Sequence, residues 1–542
     1  MAAKKQLTIG DGGNWHFING EWKDGADGLL GVREKDIYKD GDGMQNMHWA
    51  FNRSLACRNC TVRFEVSLKG HSDTGIIFRA RNESHFYLLH FPNCGQASRA
   101  QHFWAVLSVM DGSGWLRHLK MDMVRRVPSQ LGIWLPVELN ITENSFYAQI
   151  GDYGRFEAED DTFPEAGYVG LFSLGASGIR RVAVDGDFVR THDWGDDIRQ
   201  PKNWFHPVPA AGKVWQQPGD LKLFPDGELI LVTGSQTVND AGENALSLQQ
   251  ITRSADGGRT WSVPEPLNLG GSGHAWSPAR IHITPGGRLI AIIGGTDHKL
   301  LRESADRGRT WSEPVKINLH LGPPLDKPAQ QFSPHGLLNL NDGGMLALML
   351  KSYPLKDPSL NVWTWGSIHC QAFSSRSDDD GFTWSEPVNM DTPGFDGKGM
   401  KLEGNLDLTE ASAVQLGSGR VMAFIRPVYS PWMWETWSDD GGRTWGPCVR
   451  GPFPGYAAPN MVRTASGAIL IAHRMPALNV NCSMDDGKTW DQGVTIDSGN
   501  WAMGSMVEVE PNLVLYVYWD TNYSLMRAQY LRVTPDGLVP AK

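Results

Sequence analysis

The chain of 542 residues predicts an all-β protein, an antiparallel jelly-roll sandwich followed by a six-bladed β-propeller. Three observations carry that prediction. The signature Ser-x-Asp-x-Gly-x-Thr-Trp occurs five times, beginning at Ser254, Ser304, Ser377, Ser438 and Ser483. An apolar strand–turn–strand pattern occurs six times, over 219–232, 279–292, 336–348, 411–424, 460–472 and 506–517. Residues before about 195 lack the signature and instead alternate apolar and polar side chains with the period of two that a half-buried strand requires.

The alternating segments are Thr61–Ser67, Thr74–Ala80, Phe86–Phe91, Leu135–Ile141, Ser145–Ile150 and Gly167–Phe172, punctuated by Gly, Asp and Asn. Short antiparallel strands of this kind predict a sandwich over 1–195. The stretch from Trp194 to Pro209 is proline-rich and aperiodic, so 196–212 reads as a linker and 213–542 as the propeller. In each signature the Asp caps backbone donors of a tight hairpin and the following Gly supplies a positive φ. The Trp packs between neighbouring units. A hairpin recurring every ~45–70 residues matches a four-stranded blade. Five of the six strand pairs run into a signature, and the sixth runs out through Leu525–Val533.

The signature is the Asp-box, or BNR repeat, and roughly residues 205–542 resemble the sialidase-like β-propellers. The order Phe-Glu-Val, Gly-Ile-Ile-Phe-Arg-Ala, Tyr-Leu-Leu, Gly-Tyr-Val-Gly-Leu resembles laminin-G-like, concanavalin-type jelly rolls, which accompany many carbohydrate enzymes. Both resemblances imply a glycan or polysaccharide as partner.

Charge and composition exclude other classes. A formal charge of −10 with no long basic run argues against nucleic-acid binding. No apolar stretch approaches the ~18 residues of a membrane-spanning helix, so no membrane partner is expected. Met1-Ala-Ala-Lys-Lys-Gln lacks a hydrophobic signal segment, which leads us to expect a cytoplasmic protein, or a secreted or periplasmic one if a leader has been removed. Of the six cysteines, Cys57-Arg-Asn-Cys60 has metal-like spacing, but adding Cys94 leaves no fourth thiolate. The pair reads as half-buried thiols or a local disulfide. No metal or organic cofactor is implied.

In a propeller the starts of the inner strands converge on an axial mouth, so chemistry is sought just before each hairpin. The fourth opens Thr409-Glu410-Ala-Ser, where the others carry Pro or small residues. Arg426 and Arg474 fall at the same offset from their turns in the fourth and fifth hairpins, suited to a substrate carboxylate or, structurally, to ion pairs between blades. Asp240 and Glu243 leave the first blade in a loop and Asp297-His298 leave the second; such acids are otherwise simply solvated. His335, Arg280, Trp276 and Trp501 could line the mouth, though His also serves as a hydrogen-bonded filler and Trp as core.

The sialidase resemblance implies that Glu410 polarises a nucleophile, that Arg426 and Arg474 are two members of an arginine triad, and that Asp240 or Glu243 is the general acid. Two departures count against an orthodox sialidase. Trp215-Gln216-Gln217-Pro218 lacks the first triad arginine, and Trp501-Ala-Met-Gly-Ser505 lacks the nucleophilic tyrosine. The expected function is an exo-acting glycoside hydrolase that removes a terminal acidic sugar. The alternatives are a lyase acting on uronate-containing glycans and a non-catalytic glycan-binding propeller.

Overall fold

The structure is a computed structural model, and it describes residues 3–9, 14–19, 22–25, 29–32, 47–67, 72–93, 104–124, 133–175, 178–189, 194, 200–208, 214–238, 244–269, 280–294, 299–320, 330–331, 334–354, 368–394, 407–427, 430, 432–475, 477–498, 504–520 and 525–542. Among these residues the regular elements are strands, with no α-helix. The chain forms two compact units. The first comprises residues 1–203, 474–480 and 492–500, and the second residues 204–473, 481–491 and 501–542.

The first unit is organised around one long strand, Met47–Ser67, whose 21 residues pair antiparallel with Leu135–Thr142, Gly167–Leu174 and Gly178–Val189. Asp73–Asn82, His85–His90, Trp104–Asp111 and Leu116–Met123 continue as successive antiparallel neighbours. Val494–Asp497 pairs with the last of these, Val494 opposite Arg117. Alternation along the strands drives two separate apolar clusters. One contains Val62, Phe64, Ile76, Phe78 and Tyr87, and the other Trp49, Phe51, Ile77, Phe86 and Phe172.

The second unit is a propeller arrangement of small antiparallel sheets. Five separate sheets are present, where the hairpin count predicted six. The difference lies at 456–497, because residues 474–480 and 492–500 group with the first unit.

Each Asp-box is a closed hydrogen-bond set. Ser254 Oγ donates to Asp256 Oδ1 (2.8 Å) and accepts from Gly258 N (2.9 Å). Asp256 in turn accepts from Thr260 N (2.9 Å) and Thr260 Oγ1 (2.6 Å). The boxes at Ser304, Ser377, Ser438 and Ser483 repeat this pattern. Glycine is required at the turn by conformation and by space. Gly258 has φ +93°, and a Cβ there would lie 2.4 Å from Leu515 Cδ2 of the last sheet. At Gly442, with φ +84°, the clash would be with Leu346 Cδ2 at 2.3 Å.

Among the described residues the inner strands do not pair with one another through their backbones, and polar side chains bridge them instead. Asp220 Oδ2 accepts from Ile281 N (2.8 Å), His282 Nε2 donates to Asn339 Oδ1 (2.6 Å), and Gln415 Oε1 accepts from Asn341 N (2.6 Å). Ser412 Oγ accepts from Met461 N (3.1 Å), Asn460 Nδ2 donates to Gly504 O (2.7 Å), and Ser505 Oγ accepts from Leu221 N (3.1 Å). These bonds return to the strand from which they began, closing a ring.

Two outcomes are expected. Ser438→Ala leaves the buried Gly442 N–H without its acceptor and should lower unfolding stability by about 1–3 kcal/mol in urea titration. Hydrogen bonds from Thr260 and Thr489 hold Asp256 and Asp485 down to about 2, from an ordinary 3.8. The unfolded chain therefore takes up protons first as pH falls. The contribution is complete above pH ~4 and lost toward pH ~2, so the urea midpoint should fall across that window, and less steeply in Asp256→Asn.

Candidate functional site

A cavity of about 560 Å³ lies at the centre of the ring, lined by residues from Pro218 to Leu223, Arg280, His282, His335–Asn339, Glu410–Gln415, Ala458–Arg463 and Gly504–Glu508. Most polar side chains of its wall are consumed by the ring. Glu410, Arg280 and His335 are lining groups outside those six bonds.

Glu410 owes its position to a β-bulge. In the pairing of Leu408–Gln415 with Val421–Pro427, Leu408 faces Pro427 and Ala411 faces Ile425. Thr409 and Glu410 together therefore stand opposite Arg426, and the extra residue re-aims the carboxylate. The strand is entered through Asp407, which has φ +51° and accepts Cys370 N at 2.9 Å. Arg426 Nη1 donates to both carboxylate oxygens of Glu410, at 2.6 and 2.9 Å. The two side chains are only 14% and 8% exposed, so the pair is largely shielded from water and screened less than a surface pair.

His335 immediately precedes the third inner strand, Gly336–Asn339, its N–H donating to Leu348 O at 2.8 Å. Its Nε2 is buried without a hydrogen-bond partner among the described residues. Burial pushes the imidazole down to about 4, assisted by the charges of Arg280 and Arg426 and opposed by Glu410. At neutral pH it is therefore an uncharged imidazole beside a carboxylate and two guanidinium groups. Arg280 keeps one loose contact, Nη1 to Asp220 Oδ1 at 3.4 Å, and stays partly open to the cavity. Lys222 lies 4.0 Å from the same oxygen, and burial lowers its pKa.

Glu410, Arg426, His335 and Arg280 thus come together. Arg474 does not join them. It is buried at 1% exposure in Ile469–Met475 and does not line the cavity. Arg426 Nη1 is engaged by Glu410. Asp240, Glu243, Asp297, His298, Trp276 and Trp501 lie outside the described residues. Sequence reasoning missed Asp220, Lys222 and His282. Their signal is polar residues at alternate positions of strands otherwise apolar, Asp220-x-Lys222 and Arg280-x-His282. No cluster of three or more His, Cys, Asp or Glu suited to a metal ion occurs among the described residues.

Residues 292–529 match the BNR repeat-like domain family. Among solved structures, the chain is similar to a protein of unknown function from Dyadobacter fermentans, at 15% identity, covering 61% of this chain and 100% of that one, with TM-score 0.47. It is also similar to the NanB sialidase from Streptococcus pneumoniae, at 10% identity over 87% of this chain and 95% of that one, with TM-score 0.42. A leech intramolecular trans-sialidase gives 11% identity over 88% and 94%, with TM-score 0.41. No curated protein matches the chain.

The electrostatics of His335 have a direct readout in side-chain NMR of labelled histidine. Its imidazole is expected to remain neutral down to about pH 4. Arg280→Gln should raise the midpoint by removing a repelling charge, and Glu410→Gln should lower it. Because the folded value lies below the ordinary 6.5, the unfolded chain binds this proton first. The associated stability is present above pH ~6.5 and lost as pH falls toward 4. A midpoint near 6.5 in the folded protein would contradict the buried, cation-flanked site.

Proposed function

We propose that this chain is a glycan-processing enzyme, a glycoside hydrolase that removes a terminal acidic sugar in the axial cavity of its second unit. The reading also takes that unit as a six-bladed propeller, with residues 456–497 supplying the strands of the remaining blade, and the first unit as a laminin-G/concanavalin-like jelly roll. The observation that carries it is Glu410, a carboxylate held by Arg426 on a bulge at the cavity wall, with Arg280 beside it.

In this reading Arg280 receives the carboxylate of the sugar, since its guanidinium is only loosely engaged by Asp220. Glu410 acts as base or nucleophile, or polarises an attacking group, and Arg426 fixes its orientation. Asp240 or Glu243 supplies the proton to the leaving oxygen. Asp297, His298 and Trp501 are assigned to the substrate-facing rim. The absence of a tyrosine in Trp501–Ser505 makes two-carboxylate chemistry the simpler scheme.

A second reading is favoured by one feature. The buried, neutral Nε2 of His335 is suited to take a proton alpha to a uronate carboxylate, with Arg280 neutralising the charge that develops. The product would then be unsaturated.

One assay separates the readings. Terminal-acidic-sugar and uronate glycans are incubated with the wild type, Glu410→Gln and His335→Ala, while reducing ends and ultraviolet absorbance are followed together. Hydrolysis should raise reducing ends without absorbance, and Glu410→Gln should lower kcat/KM by about 10²–10⁴-fold. Absorbance lost in His335→Ala would replace the hydrolase with the lyase. Glycan binding without turnover in either channel would leave a binding propeller.

A further inference from the structure

Cys57 and Cys60 lie in the long strand of the first unit, outside every element of the cavity. Residues three apart on a regular strand point to opposite faces. Here they do not, because the strand is bulged between them. In its pairing with Gly178–Val189, Gly186 stands opposite Cys60 and Phe188 opposite Cys57, so three steps on one strand match two on the other. Both thiols consequently enter the same apolar cluster, at 2% and 7% exposure, with their sulfurs 2.8 Å apart. That separation is closer than two non-bonded sulfurs pack.

The surroundings are shaped to this arrangement. Gly186 leaves the space it needs, since a Cβ there would lie 2.6 Å from Cys60 Cβ and 2.8 Å from Asn59 O. The two residues inside the bulge turn outward and are held. Arg58 Nη2 donates to Glu143 Oε2 (2.5 Å), Asn59 Nδ2 to Glu143 Oε1 (3.2 Å), and Glu143 N to Asn59 Oδ1 (2.8 Å). Buried Arg79 donates to Arg58 O at 3.2 Å. Thus the bulge is pinned from one side while the thiols meet on the other. Among the described residues no third His, Cys, Asp or Glu joins them to make a metal site, and Cys94 lies outside those residues.

We infer that Cys57 and Cys60 form a disulfide when the chain folds with an exchangeable disulfide oxidant present, such as oxidised glutathione or a thiol–disulfide oxidoreductase. One thiolate attacks the oxidant to give a mixed disulfide and releases one thiol. The second thiolate displaces the remaining half, forming the Sγ–Sγ bond and releasing a second thiol. Two electrons and two protons leave the pair and reduce the oxidant. Burial means that the bond forms before the sandwich closes, and that the closed sandwich shields it from reductant. The bridge fixes the bulge covalently, in the same geometry that Glu143 and Arg79 hold by hydrogen bonds.

The full chain is produced once in an oxidising and once in a reducing bacterial compartment, unfolded without reductant in excess N-ethylmaleimide, and weighed intact. With six cysteines in the chain, six labels are expected from the reducing compartment and four from the oxidising one. Peptide mapping should join Cys57 to Cys60. Cys57→Ser should take five labels from either compartment, and Cys60→Ser serves equally if that variant accumulates poorly. Six labels from the oxidising compartment, or a bridge mapped to other cysteines, would overturn the inference.

Discussion

The inner strands of the second unit are held together by side-chain hydrogen bonds rather than by a continuous backbone ladder, and the cavity exists because of that choice. Adjacent inner strands belong to different sheets, so their facing N–H and C=O groups need partners from elsewhere. Asp220, Asn339, Gln415, Ser412, Asn460 and Ser505 supply them across the junctions. A backbone ladder would draw the strands together, whereas a side chain spans a wider gap. The centre is left open and lined with polar groups.

This ring also sorts the cavity wall into two kinds of residue. Side chains already bonded across a junction are positioned by the fold and have little left to offer a ligand. Glu410 and Arg426 pair within one hairpin, and His335 Nε2 has no protein partner among the described residues. Their common origin is local. A single additional residue in Leu408–Gln415 carries Glu410 to the side of Arg426, and burial then makes His335 neutral beside them. At the rim, the Asp-boxes do the complementary task. Each closes a hairpin with its own Ser, Asp and Thr, and each turn glycine allows an aliphatic or methionine side chain of the preceding sheet to come close.

Much of this was legible in the sequence, and the limits have physical causes. The boxes were readable because every bond within a box spans four residues or fewer. Glu410 stood out because a carboxylate occupies a position where the other repeats are small. The ring was harder to see. Each of its bonds joins strands tens of residues apart, as Asp220 joins Ile281, and one repeat shows only half of the pair. The fifth hairpin was correctly read as strands, but periodicity cannot tell with which unit a strand's ends will group. The two thiols were seen as a pair from Cys57-x-x-Cys60, while the bulge that turns both inward needed the register against Gly186 and Phe188.

The most direct measurement is a crystal structure of Glu410→Gln soaked with a terminal acidic sugar or uronate oligosaccharide. Electron density in the axial cavity, with the sugar carboxylate within hydrogen-bond distance of Arg280 and its reactive carbon beside residue 410 or His335, is the predicted result. Density confined to the first unit, with the axial cavity empty at saturating ligand, would contradict the assignment of the chemistry to this ring.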